Sequence, residues 1–306
     1  MPMRERTGLD AAALLVLRAA NETGVLDALV ERAGTPAEVA AETDVTEAAA
    51  ERTVGILADL GFLKRVGGEY EPTNRALGLL AKRDVRSVGA VPHALDVADA
   101  LVALPGTMET GVPPEAPEDA TANRLGAHAA TDESVVRACV TAAVRAAPDA
   151  ERVLDLCGGS GTYAAEFADR GRDVTLVDSP AVVEAVAPLH DRPDVRLHDG
   201  PPTTLEGSFD LAFGARVAGG MDPTEIGSLL EAARDALAPG GTLCLADVLA
   251  DGSDAAVTAD AVGLATGHGG AYDAERYREW FEEAGFVDVR IEPVPGTDRR
   301  AVSAVA

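Results

Sequence analysis

Gly158, Gly159 and Gly161, followed twenty residues after Gly158 by Asp178, are the residues whose spacing most plainly suits chemistry. The apolar residues Val153, Leu154 and Leu156 read as a buried strand, Gly158-Gly-Ser-Gly161 as its turn, and the run from Tyr163 to Asp169 as a helix. Strand, glycine turn and helix together bring backbone N–H groups close to a ligand at a helix N-terminus. A second strand, Val174-Thr-Leu-Val177, ends in Asp178, where a carboxylate can accept hydrogen bonds from both hydroxyls of a ribose. Turn and acid together point to a nucleoside cofactor. The turn does not match the dinucleotide pattern G-x-G-x-x-G, which disfavours a nicotinamide-dependent oxidoreductase.

The elements that must position these residues alternate from residue 151 onward. Val195–His198 is a third strand leading into Asp199-Gly200, Phe209–Phe213 a fourth, and a helix covers about 223–237. After Ala238-Pro-Gly-Gly241 a fifth strand, Thr242–Ala246, ends at Asp247. A last helix starts with Asp273 as N-cap and passes Phe281, and Val287–Glu292 and Arg300–Val305 form an antiparallel edge pair. Such alternation predicts an α/β fold, a mostly parallel sheet with helices on both faces and ligands at the carboxyl ends of its strands. Asp178, Asp199 and Asp247 all fall at such ends.

The first 80 residues differ. Apolar residues at helical spacing over 9–31 predict one helix, and Thr35, Pro36 and Glu38 carry the capping signature of a second. A third runs to Leu60 and stops at Gly61, and Phe62–Val66, Gly67-Gly68 and Glu69–Glu71 make a hairpin. Three helices and a two-stranded wing form a winged helix. Its third helix, residues 46–60, holds Glu47, Glu51 and Asp59 against Arg52, three acids and one base for a net of −2. Phosphates would repel it, so dimerisation or scaffolding is its expected role. Residues 76–150 are Ala-rich with a helical pattern, interrupted at Pro105-Gly106 and over Gly111–Pro117. The expected division is 1–80, winged helix; 81–150, helical linker and roof; and 151–306, cofactor-binding domain.

The 306 residues carry a formal charge of −25, and Lys64 and Lys82 are the only lysines among 26 basic residues. Self-repulsion of this size is tolerable where salt screens it, so a salt-adapted cytoplasm is expected. It also argues against nucleic acid as a partner. Cys139, Cys157 and Cys244 show neither disulfide nor zinc spacing and read as residues of a reducing compartment, and no metal is expected. No apolar run is long enough for a membrane span, and no signal peptide is visible, which makes a soluble, cytoplasmic protein the expectation.

Val153–Gly161, Val177-Asp-Ser-Pro180, Ala236–Gly241 and Ala284-Gly-Phe286 resemble class I S-adenosyl-L-methionine (SAM)-dependent methyltransferases. More narrowly, nearly the whole chain is similar to small-molecule O-methyltransferases with a winged-helix dimerisation domain, the acetylserotonin and caffeate O-methyltransferase group. The resemblance implies a homodimer using SAM on a small-molecule acceptor. It implies that Gly158, Gly159 and Gly161 line the methionine part of the cofactor and that Asp155 orients the turn. Asp178, with Ser179 beside it, would hold the ribose, and Asp199 and Gly200 would flank the adenine.

The sequence departs from that family at the acceptor. Members that methylate a hydroxyl carry a His after the fourth strand, where alignment places Gly219, and their supporting Glu falls on Ala271. A hydroxyl is a poor nucleophile until its proton is removed, a step worth on the order of 10²–10⁴ in rate. The acceptor would then be already nucleophilic, or another base would serve, or the domain would bind SAM without methylating, as a regulator or a repurposed fold. The candidate replacement base is His268 in Thr266-Gly-His-Gly-Gly270, with His93 a weaker one, and Met108, Met221 and Tyr272 are candidates to line the acceptor pocket.

Overall fold

The structure, a computed structural model, describes residues 8–31, 33–80, 85–205 and 208–306. The chain divides into two compact units. The first holds the residues up to Asp99 with Ala116–Ala130, and the second holds Ala100–Glu115 with Thr131–Ala306. Residues of the 81–150 stretch fall in both.

In the first unit, helices α1 (Ala11–Glu22), α2 (Val25–Glu31), α3 (Pro36–Glu42) and α4 (Glu47–Asp59) precede strands β1 (Leu63–Val66) and β2 (Glu69–Pro72). The single helix expected over 9–31 is two, because Gly24 adopts φ +72° and turns the chain between them. The capping box of α3 is present: Thr35 Oγ1 accepts from Glu38 N, and Glu38 Oε2 accepts from Thr35 N at 3.0 Å. Gly61, at φ +78°, ends α4, with Phe62 N donating to Leu57 O at 2.9 Å. β1 and β2 pair antiparallel around Gly67-Gly68. Leu17, Leu26, Val39, Val54, Leu57 and Phe62 form the core of this unit. Helices α5 (Asn74–Leu80), α6 (Val85–Val88), α7 (Val91–Thr110) and α8 (Ala120–Ala129) follow. The break expected at Pro105-Gly106 does not occur, and α7 runs through it. Both residues are exposed, and the carbonyl that loses its N–H partner to proline is that of half-buried Leu101.

The second unit is built on a seven-stranded sheet. Its elements are α9 (Glu133–Ala146), β3 (Arg152–Leu156), α10 (Thr162–Asp169), β4 (Asp173–Asp178), α11 (Pro180–Val186), β5 (Val195–Asp199) and β6 (Phe209–Ala215). Then come α12 (Pro223–Ala236), β7 (Leu237–Asp247), α13 (Asp254–Thr266), α14 (Ala274–Glu283), β8 (Val287–Pro293) and β9 (Arg300–Val305). The strand order is β5-β4-β3-β6-β7-β9-β8, with β9 antiparallel to both neighbours and the rest parallel. This is the doubly wound, Rossmann-like arrangement with an antiparallel edge. β7 begins at Leu237, five residues before its expected start. Phe209 pairs with Leu237 and Leu211 with Thr242, so four residues of β7 stand against one of β6, and Gly240 at φ +79° bends β7 within that irregularity.

Strand alternation sorts the core into two layers. Leu154, Leu156, Ala212, Leu243 and Leu245 face one side and pack with Leu230, Tyr277, Trp280 and Phe281 of α12 and α14. Val153, Leu211, Phe213, Cys244 and Ala246 face the other and pack with Cys139, Val140, Tyr163 and Phe167 of α9 and α10. Among the described residues, no helix is long and apolar enough to cross a membrane.

Candidate active site

The candidate site lies along the carboxyl ends of the parallel strands. β3 delivers Asp155 into the α9/α10 side of the sheet, where it is 1% exposed and one carboxylate oxygen has no hydrogen-bond partner. Burial, and to a lesser degree the charge of Asp178, push its pKa up to about 8, opposed by the Ala164 amide. The chain then passes through Cys157 at φ +51° into the buried turn Gly158–Gly161. Here glycine is required by space. A Cβ on Gly158 would lie 2.5 Å from Leu176 and 2.8 Å from Asp155 Oδ2. One on Gly161, which starts α10 at φ +74°, would collide with the ring of His190. His190 Nε2 sits 3.0 Å from Ser160 O and so braces the turn.

The turn is tied to the next strand by one carboxylate. Asp178 Oδ2 accepts from Gly159 N at 3.0 Å and Oδ1 from Ser179 N at 2.7 Å. Asp199 ends β5 in register with Asp178, and Gly200 N donates to Asp178 O at 3.0 Å. The structure therefore brings together Asp155, Gly158, Gly159, Gly161, Asp178, Ser179, Asp199 and Gly200, all the residues expected to meet the cofactor. The donors and acceptors they offer suit it: a half-buried carboxylate with lone pairs left over, and the backbone N–H groups of a helix N-terminus. Sequence reasoning missed His190, because a lone histidine in a loop carries no spacing signal.

The stretch expected to meet the acceptor is built differently. After β6, Arg216 turns the chain at φ +58° into the short 3₁₀ turn Ala218–Gly220. Gly219, at the position expected for a base, meets backbone: a Cβ on Gly269 would strike the Gly219 carbonyl, and one on Gly219 would find Gly270 O at 3.7 Å. Gly263 of α13 is equally close to this loop, its Cβ position lying 2.5 Å from Gly269 O. Pro113 covers Gly267, with its ring 3.1 Å from where a Cβ would be. His268 is thus one residue from the Gly219–Gly269 contact and is exposed. Ala271 N donates to Asp260 Oδ1 at 2.7 Å, and Tyr272 Oη donates to Met221 O at 2.9 Å. Met221 and Tyr272 are half-buried, and Tyr272 stacks edge-on against Trp280 at 4.7 Å. Met108 is 67% exposed on α7, and His93 belongs to the first unit.

Two further buried polar groups sit at this edge. Asp247, ending β7, accepts from Tyr277 Oη at 3.0 Å, and burial raises its pKa. Arg299, just before β9, is 3% exposed and donates to Tyr163 Oη and, at 3.5 Å, to Cys139 Sγ. All three cysteines are free thiols.

The family described as "Methyltransferase domain" matches residues 129–291, more than half of the chain. Residues 10–88 match the family described as "HVO_A0261 N-terminal domain". No curated protein matches. Among solved structures, human N-acetylserotonin methyltransferase in complex with SAM is 22% identical at TM-score 0.68, covering 95% of this chain and 93% of that one. PigF with SAH is 17% identical at TM-score 0.73, covering 96% of each chain. The mitomycin 7-O-methyltransferase MmcR is 20% identical at TM-score 0.70, covering 96% of this chain and 94% of that one. At these identities the likeness is one of fold, and the family match gives the chemistry its class. The chain belongs to the methyltransferase-domain family and is an enzyme with S-adenosylmethionine as its methyl donor.

Proposed function

We propose that the protein transfers the methyl group of SAM to a small apolar or aromatic acceptor. The observation that carries this is the Gly158–Gly161 turn tied through Gly159 N to Asp178, at the start of α10. In this reading Gly158, Gly159 and Gly161 line the methionine part, Asp155 orients the turn, Asp178 and Ser179 hold the ribose, and Asp199 and Gly200 flank the adenine. Neighbours named for N-acetylserotonin and for mitomycin support a small acceptor. Bound SAM supplies a sulfonium methyl that needs an in-line nucleophile and little else. The protein's task is then to position the acceptor against Met221 and Tyr272 and to take up its proton where it has one.

His268 is the proposed base, because the loop that carries it abuts Gly219. His268→Ala should lower turnover by on the order of 10²-fold while leaving cofactor affinity alone. Equal turnover would remove it from the site and favour a thiol, amine or carbon acceptor. The reading as a whole is tested by incubating the protein with methyl-labelled SAM and a lysate of the source organism. A labelled small molecule is expected, and SAM binding without labelling would favour a non-methylating role.

The first unit, in this proposal, is a winged helix used for homodimerisation. Leu15, Ile56 and Leu77 are apolar and 47%, 38% and 41% exposed there. Light scattering should give a dimer, and a monomer at micromolar concentration would refute it. The excess of 51 acids over 26 bases supports a salt-adapted cytoplasm. An unchanged circular dichroism spectrum on desalting would count against that.

A further inference from the structure

Arg299 is an unusual residue to find in an interior. Its guanidinium is buried, its Nε has no hydrogen-bond partner, and its Nη1 is used on two uncharged groups, Tyr163 Oη and Cys139 Sγ. A buried cation costs several kcal/mol unless something of opposite sign compensates it. Asp247 does not touch it. Alternation along β7 puts Asp247 on the face of Leu245, with Tyr277 and Trp280, whereas Arg299 lies two residues before Ala301 on the opposite face, with Cys139 and Tyr163. Asp298, its neighbour in sequence, is exposed.

The position of this charge is informative. β9 pairs with β7 so that Arg300 faces Asp247, which puts the β8–β9 turn at the carboxyl edge of the parallel strands. From there Arg299 reaches inward to Tyr163, in the first turn of α10 and two residues past Gly161. Tyr163 packs on Phe213 with ring centroids 5.4 Å apart, and Phe213 pairs with Asp155. Arg299, Tyr163, Phe213 and Asp155 therefore occupy one face, directly beside the glycine turn. Two sources of positive potential converge there, the guanidinium and the α10 N-terminus. Asp155 on that face is kept neutral by burial, and Asp247 and Asp298, whose charges reach the guanidinium, form no ion pair with it.

We propose that Arg299 supplies the positive potential that holds the carboxylate of the cofactor's methionine end, with Tyr163 fixing its position. The proposal rests on the cofactor reading above. Arg299 is a positioning residue in this account and acts through the field it sets at the glycine turn.

The test compares two ligands by calorimetry. One is S-adenosylhomocysteine, and the other its decarboxylated analogue, which keeps adenosine, sulfur and amine. Arg299→Met should weaken the carboxylate ligand by about tenfold or more and the analogue by less than about twofold. Arg299→Lys should restore part of the difference. Should Arg299→Met fail to fold, Tyr163→Phe, which keeps the charge and frees it, should lower the first affinity selectively by a smaller factor. Equal losses for both ligands, or none, would overturn the proposal and leave Arg299 a packing residue. Wild-type protein that binds neither ligand would instead sink the cofactor assignment, and this inference with it.

Discussion

Gly269 and Gly219 meet backbone to backbone, so closely that a side-chain carbon on Gly269 would strike the carbonyl oxygen of Gly219. The loops that carry Gly219 and Gly269, proposed to border the acceptor, are therefore pressed together with no side chain between them. The requirement is one-sided. Gly269 sits at φ +65° and has no room, whereas a Cβ on Gly219 would only touch Gly270 O at 3.7 Å. Gly269→Ala should destabilise the protein by about 1–3 kcal/mol. Gly219→His should melt within a few degrees of wild type. Thermal unfolding of the two variants checks this, and the reverse order would mean that the loops do not meet as described.

Asp178 carries both the turn and, in the proposed reading, the ribose. Removing its carboxylate leaves Gly159 N and Ser179 N without their acceptor and takes away the partner of the ribose hydroxyls. Asp178→Ala should weaken S-adenosylhomocysteine by about 1.5–3 kcal/mol, the scale for hydrogen bonds to a charged group. Unchanged affinity in calorimetry would place the ribose elsewhere.

Gly161 and His190 are coupled by volume. Gly161→Ala introduces a carbon where the imidazole stands, at a φ of +74° that alanine resists. Trimming the ring with His190→Ala removes the collision and leaves the backbone strain. The two substitutions together should cost less than the sum of each alone, by about 1 kcal/mol or more in a double-mutant cycle from urea unfolding. Strict additivity would show that the ring is not the obstacle.

Asp155 links stability to pH. Its folded pKa, about 8, is raised above the ordinary value of 3.8 mainly by burial. Between those two values the folded state keeps a proton that the unfolded state has lost. Stability from this group is therefore full below about pH 4 and declines as pH rises towards 8. The slope is at most about 1.4 kcal/mol per pH unit. Asp155→Asn cannot titrate and should lose that slope, so wild type should fall relative to the variant between pH 5 and pH 8. Parallel curves for the two proteins in urea unfolding across that range would contradict a neutral Asp155.

What the sequence determined by itself is what local physics encodes. Val153–Gly161 and Asp178 were legible as a strand, a glycine turn and a second strand ending in an acid because these are short-range signals. Thr35, Pro36 and Glu38 announced a helix start in the same way. Gly219 and Ala271 could be read as the absence of a familiar base. Local rules misjudged Gly24, which splits a helix, and Pro105, which does not. The tertiary structure alone decided what meets across the fold. His190 under Gly161, Gly269 on Gly219 and Arg299 on Tyr163 join residues 29, 50 and 136 positions apart in the sequence. No periodicity records such distances, because they are set by which strands pair and which helices pack between them.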